Sequence, residues 1–162
     1  MKTVSSSDGL RFSHPVSLIA TWFGCGLLPG APGTWGSLAA LPFAWIISNQ
    51  TGAWGLFIAI SAIFAIGTWA ASRYTQAAGL KDCQKIVIDE VAGQWIALLL
   101  VPRSLLAYLA AFVLFRICDI FKPWPANWAD RAVPGGFGIM LDDMFAGAYA
   151  WFLIQTALYL IS

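Results

Sequence analysis

Histidine is nearly absent from this chain, cysteine is scarce, and charge is thin. His14 is the single histidine in 162 residues, which excludes histidine-rich metal sites and any mechanism that needs two imidazoles. Cys25, Cys83 and Cys118 are odd in number and far apart, so they form neither a disulfide framework nor a Cys-x-x-Cys metal site. A cysteine-nucleophile phosphatase would want arginine six positions on, where this chain has Ala31, Asp89 and Trp124. No Asp-x-Asp spacing occurs, and no glycine-rich stretch ends in the Gly-Lys-Ser/Thr of a nucleotide-binding loop. Charged residues make up 10 % of the chain, where soluble domains carry roughly 25 %. A net charge of +1 gives nucleic acid no basic surface to bind. Intrinsic disorder is excluded too, because 59 % of the residues are hydrophobic and the mean hydropathy is +0.73.

The placement of the charges says more than their number. None occurs over 12–72, 91–102, 104–115 or 144–162. Six fall within 73–90 and seven within 116–143, with Arg103 alone between the two groups. This is the pattern of a membrane protein whose charges are gathered into two polar segments. About 20 apolar residues cross a bilayer as a helix, and 54–72 and 144–161 fit that length. The stretch 35–48 is short, and 91–101 needs to begin near Ile86, which places Asp89 and Glu90 on its first turns at the water edge. The stretch 104–121 is long enough once Arg116 and Asp119 are included near its end. At 13 residues, 16–28 is better suited to a re-entrant or interfacial segment than to a span.

The expected fold is therefore all-α: a small polytopic membrane bundle of about four to six membrane-embedded helices. A tail over 1–13 precedes a single domain over 14–162. Lysine and arginine sit mainly in the N-terminal, 73–85 and 116–131 segments, which the positive-inside rule places together on the cytoplasmic side. The turn at 49–53 and the hairpin near Arg103 then face outward.

In that topology Asp89, Glu90, Asp119, Asp130, Asp142 and Asp143 share one membrane face. Carboxylates at the edge of apolar spans are costly and mark function. So many together repel unless something positive sits among them. Oxygen donors without histidine or cysteine suit a hard cation such as Mg²⁺, held by a few carboxylates plus water and phosphate. For Asp82 and Asp130 a solvated loop charge is an equal reading. Arg116, Asp119 and Lys122 recur every three residues, on neighbouring turns of one helical face. Arginine offers phosphate a bidentate fork and lysine a point charge. Interfacial anchoring explains Lys122 and Arg131 as readily, but explains Arg116 less well. The run Pro29–Ser37 opens an apolar helix, with Thr34 as a cap and the Ser37 hydroxyl near free amides, although an ordinary Pro/Gly turn reads the same way. Gly135-Gly136-Phe137-Gly138 reads as a flexible lead into the last span, and Trp124 and Trp128 as headgroup-layer anchors. Together these features suggest metal-assisted phosphoryl chemistry on a lipid headgroup. An ion or solute transporter using the same acids is the alternative.

Four motifs carry a resemblance. Pro-Gly-Thr-Trp-Gly-Ser (32–37), Asp-Glu-Val-Ala-Gly (89–93), Phe-Arg-Ile-Cys-Asp-Ile-Phe-Lys-Pro-Trp-Pro (115–125) and Gly-Gly-Phe-Gly-Ile-Met-Leu-Asp-Asp (135–143) resemble, in order and spacing, those of bacterial phosphatidylglycerophosphatase A. The resemblance implies an Mg²⁺-dependent, multi-pass inner-membrane phosphatase working at the cytoplasmic face. Its lipid substrate would be phosphatidylglycerophosphate and its product phosphatidylglycerol. It also implies Asp89, Glu90, Asp142 and Asp143 as metal ligands or acid–base groups, with Asp119 a further catalytic member. Arg116, Lys122 and Arg131 become phosphate binders, supported by Thr34 and Ser37.

Overall fold

A computed structural model describes residues 10–79 and 83–161. Expectations for most of the 1–13 tail, and for Lys2, Lys81 and Asp82, lie outside the described residues. Among the described residues every regular element is helical. In chain order they are α1 (Pro15–Ala20), a 3₁₀ turn (Cys25–Leu27), α2 (Pro32–Ala78), α3 (Ile88–Ala97), α4 (Leu105–Phe121), α5 (Ala126–Ala132) and α6 (Gly135–Ile161). The all-α bundle is thus what forms.

The 47 residues of α2 are two helices, not one rod. Gly52 has φ 68° and ψ −164°, a conformation open in practice only to glycine. Gly36 packs against Val87, while Gly67 packs against the neighbouring Ile88. A straight helix would hold Gly36 and Gly67 roughly 46 Å apart. The chain therefore reverses between them, and Gly52 lies midway. Limbs 32–51 and 53–78 contain the expected spans 35–48 and 54–72. The expected turn over 49–53 contracts to one glycine, with helix on both sides of it, and the Thr51 hydroxyl donates to the Ile47 carbonyl at 2.8 Å.

Two elements, α2 and α6, contain windows of mean hydropathy 1.8 and 1.5 and are long enough to cross a bilayer. Their outer faces carry exposed Ile46, Phe57, Ile58, Phe152 and Leu153, an arrangement suited to lipid and costly in water. By contrast, α1 has six residues and rises about 9 Å, far short of a bilayer core. Its Ala20 carbonyl accepts from the Val87 amide at 2.9 Å, and Gly26 lies against the Lys85 carbonyl. The 16–28 segment therefore folds back beside 83–88, and the Pro-Gly turn at 29–33 emerges at the same end of the bundle as Asp89.

Two further boundaries differ from expectation. α3 begins at Ile88 and has ten residues, ending well before Val101. The chain then turns through Leu100 at φ 62°. The Leu99 carbonyl accepts from Trp151 Nε1 at 2.8 Å and Gln155 Nε2 at 3.0 Å. In lipid such a carbonyl must find its donor inside the protein, so α6 closes the exposed end of α3. The 135–138 glycines are the first turn of α6 and not a flexible lead. Tertiary packing overrides their poor helix propensity. The Gly136 amide donates to Ser72 Oγ at 3.1 Å, and a Cβ at Gly136 would lie 2.5 Å from the Ser72 amide nitrogen.

In the core, α3 and α6 meet backbone to backbone. A Cβ on Gly93 would sit 2.5 Å from both the Asp143 carbonyl and the Phe115 ring, and one on Gly147 would strike the Gly93 backbone. Small residues are how membrane helices bring their backbones together. Gly93→Ala should therefore destabilise the fold by about 1–3 kcal/mol, the scale of overpacking, read as a lower Tm in detergent. An unchanged Tm would show that the two helices do not meet there.

Candidate active site

One end of the bundle is polar. The Pro-Gly turn before α2, the start of α3, the end of α4 with α5, and the first turns of α6 line a cavity of about 580 Å³. Of the ten site residues the resemblance implies, eight line it: Asp89, Glu90, Arg116, Asp119, Lys122, Arg131, Asp142 and Asp143.

The acids come from two helices. Asp89 and Glu90 lie in the first turn of α3, where the helix dipole favours negative charge. Asp143 lies just over two turns into α6 and is buried. One carboxylate oxygen from each of Asp89, Glu90 and Asp143 falls within 4.8 Å of the others. Asp89 Oδ1, Glu90 Oε2 and Asp143 Oδ2 are buried, and no hydrogen-bond donor reaches them. Three carboxylates this close, each with one oxygen buried, repel strongly and call for positive charge. Gly33 lets the cluster form against α2. A Cβ there would strike Glu90 Oε1 and sit 3.0 Å from Arg116 Nη1.

The Asp142-Asp143 pair splits its roles. Successive residues on an α-helix point about 100° apart, so Asp142 turns away from the triad that Asp143 joins. Asp142 Oδ1 accepts from the Asp143 amide at 2.9 Å, and Asp142 Oδ2 accepts from Lys122 Nζ at 2.6 Å. The family resemblance implied all four acids as metal ligands or acid–base groups; the structure gathers three and pairs Asp142 with a lysine.

Arg116 pairs with Asp119 one turn on, as their spacing implies, and Arg116 Nε is buried without a partner. Lys122 leaves that helical row. It caps α4 in a left-handed conformation, φ 43° and ψ 62°, ahead of Pro123, and reaches Asp142 at 2.6 Å and Asp130 at 3.0 Å. Burial pulls the Lys122 pKa down, but Asp142 and then Asp130 outweigh it, and the net shift is upward. The stability this pairing contributes is complete below the ordinary lysine range and is lost only as pH rises through the elevated value. Asp130 is thus tied into the site as a partner of Lys122. Arg131 closes α5, is exposed, lines the cavity, and makes no ion pair among the described residues.

Thr34 and Ser37 stand apart. Ala31 occupies the N-cap of α2 with Pro32 at the first helical position, so Thr34 is already inside the helix and does not cap it. The Ser37 hydroxyl is buried and donates to the Gly33 carbonyl at 2.8 Å. Neither residue lines the cavity. Gly33, lacking a side chain, makes room for Glu90 by the close approach its place in the 29–37 run allows. Sequence reasoning passed over Gln94, fully buried one turn beyond Glu90 with neither amide atom partnered. An amide in a stretch without charge, 91–102, was the available signal.

Lys122→Met should destabilise the fold by about 3 kcal/mol, since it leaves Asp142 buried and unpaired. Combined with Asp142→Asn, the loss should fall short of the sum by about 1–3 kcal/mol, the range for residues in contact. Unfolding of the two single variants and the double variant in detergent reads this, and additive losses would contradict the pairing.

Comparison with known proteins bears on the same residues. The family model described as Phosphatidylglycerophosphatase A matches residues 18–158. The chain is 43 % identical over 140 residues to the Escherichia coli (strain K12) protein named Phosphatidylglycerophosphatase A, covering 85 % of this chain and 80 % of that one. It is 39 % identical over 147 residues to the Haemophilus influenzae protein of the same name, covering 90 % of each. A Bacteroides thetaiotaomicron protein with the provisional name phosphatidylinositol-3-phosphatase is 40 % identical over 157 residues, covering 89 % of this chain and 94 % of that one. No solved structure matches. With its four motifs converging on one cavity and the family model spanning nearly its whole length, this chain belongs to the phosphatidylglycerophosphatase A family.

Proposed function

We propose that the protein hydrolyses the terminal phosphate monoester of phosphatidylglycerophosphate, giving phosphatidylglycerol and inorganic phosphate. The reaction takes place at the cytoplasmic face of the bacterial inner membrane with Mg²⁺ as cofactor. The observation that carries this reading is the convergence of Asp89, Glu90 and Asp143 within 4.8 Å, in one cavity with Arg116 and Lys122.

The donor set fits the cofactor. Three carboxylates with buried oxygens that lack donors, and no histidine or cysteine among them, suit a hard divalent cation. Asp89, Glu90 and Asp143 would hold it. Bound there, Mg²⁺ supplies charge to the phosphate oxygens and makes a water more acidic.

The chain's own residues supply the rest. Arg116, with Nε unpartnered, offers its fork to the phosphoryl oxygens whose charge grows in the transition state. Lys122, at the end of the same helix, adds a point charge. A carboxylate oxygen of the 89–90 pair takes the proton of the attacking water. Water oxygen bonds to phosphorus, the bond to the glycerol oxygen breaks, and that oxygen leaves as the alcohol by taking the proton the carboxylate accepted. An aspartyl-phosphate intermediate is the alternative route with the same products. Orientation rests on charge asymmetry. Arg116, Lys122 and Arg131 line the cavity end, whereas Arg103 lies at the hairpin tip, donating to the Ser48 carbonyl at 2.9 Å.

Detergent-purified protein should release phosphate from phosphatidylglycerophosphate with Mg²⁺ and stop when a chelator is added. Asp89→Asn and Asp143→Asn should each lower kcat by at least about 100-fold, the scale for removing one preorganised transition-state group, while the fold persists. Absence of release from folded wild-type protein would overturn the reading.

A further inference from the structure

We propose that Arg131 binds the phosphate diester of the substrate and so selects lipids that carry a second phosphate beyond the one removed. The inference rests on the functional reading above and concerns the other half of the same headgroup. Phosphatidylglycerophosphate carries two anionic groups separated by a glycerol: the monoester to be cleaved and the diester that links to the lipid. The cavity, at about 580 Å³, is far larger than one phosphate and lies within the range that holds whole small ligands.

Its cations differ in a way that matches two anionic groups. Arg116 is mostly buried and paired with Asp119, and Lys122 is held between Asp142 and Asp130, so both are built into the acidic end. Arg131 is the cavity-lining cation that pairs with no acid among the described residues, and it is exposed. It sits in the last turn of α5, a short helix whose Trp128, with Trp124 just before it, points outward at 49 % and 77 % exposure. Exposed tryptophans of this kind settle at the headgroup layer, the depth at which a lipid's diester lies. A guanidinium there meets a diester through paired N–H donors. The monoester, one glycerol further along, then reaches the carboxylate end.

The test separates the two phosphates. Phosphatidylglycerol, the product, carries the diester alone, and inorganic phosphate stands for the monoester alone. Both are used as inhibitors of the full-length protein in neutral detergent micelles. Arg131→Ala should raise KM for phosphatidylglycerophosphate and Ki for phosphatidylglycerol together, by about 10-fold, as expected for the loss of one charge-assisted contact. Inhibition by inorganic phosphate should not weaken with them, and Arg131→Lys should recover part of the loss. The proposal is overturned if phosphatidylglycerol and inorganic phosphate weaken equally, if kcat falls with KM unmoved, or if Ki for phosphatidylglycerol does not change. Failure of the functional reading looks different: wild-type protein itself then releases no phosphate, before any variant is compared.

Discussion

Three carboxylates held together at one end of the bundle are the constraint around which this molecule is arranged. Asp89, Glu90 and Asp143 come within 4.8 Å with buried oxygens that no donor reaches. Such a cluster is unstable by itself, and its neighbourhood answers it in two ways. Close backbone contacts force the acids together: Gly93 against Asp143 and Phe115, Gly147 against Gly93, and Gly33 against Glu90. Cations stand close by, with Arg116 beside Glu90 and Lys122 on the adjacent Asp142. The same glycines that permit α3 and α6 to touch therefore set the spacing of the acids, and packing and chemistry cannot be altered separately there.

Lipid as solvent explains the remainder. Polar groups at one end leave the spans free of charge, and within the spans backbone groups find partners inside the chain. The Leu99 carbonyl takes two donors from α6, and the Ala40 carbonyl takes Trp95 Nε1 at 3.0 Å. A helical hairpin folded at Gly52 supplies two limbs whose ends differ. One end carries the cavity, and the other carries little beyond Arg103 and its bond to Ser48. That polarity gives a headgroup enzyme its single working face.

Much of this was legible from the chain alone. Long charge-free stretches suit membrane helices because the bilayer interior disfavours charge, and acids abutting those stretches stand out because burial makes them costly. Asp89 and Glu90 stand on the first turn of α3, where the charge pattern puts them. What spacing could not convey was direction. Adjacent Asp142 and Asp143 read as one pair, yet helical rotation sends one to Lys122 and the other to the triad. Lys122 read as the third member of a helical row, but Pro123 ends the helix and a left-handed cap turns the lysine aside. The 135–138 glycines read as a loop, since propensity is local while their need for close contact with the 53–78 limb is not. Thr34 and Ser37 looked like anion ligands because a helix N-terminus was expected to start at Thr34, and the helix starts two residues earlier.

The central claim is that these three carboxylates together hold one kind of ligand, a hard divalent cation. Binding of Mg²⁺, or of Mn²⁺ followed by electron paramagnetic resonance, to detergent-purified wild-type, Asp89→Asn and Asp143→Asn protein tests it without any substrate. The account predicts saturable binding to the wild type, weakened at least about 10-fold in each variant by loss of one charged ligand among few. Binding that persists unchanged in both variants, or no saturable binding to the folded wild type, would contradict it.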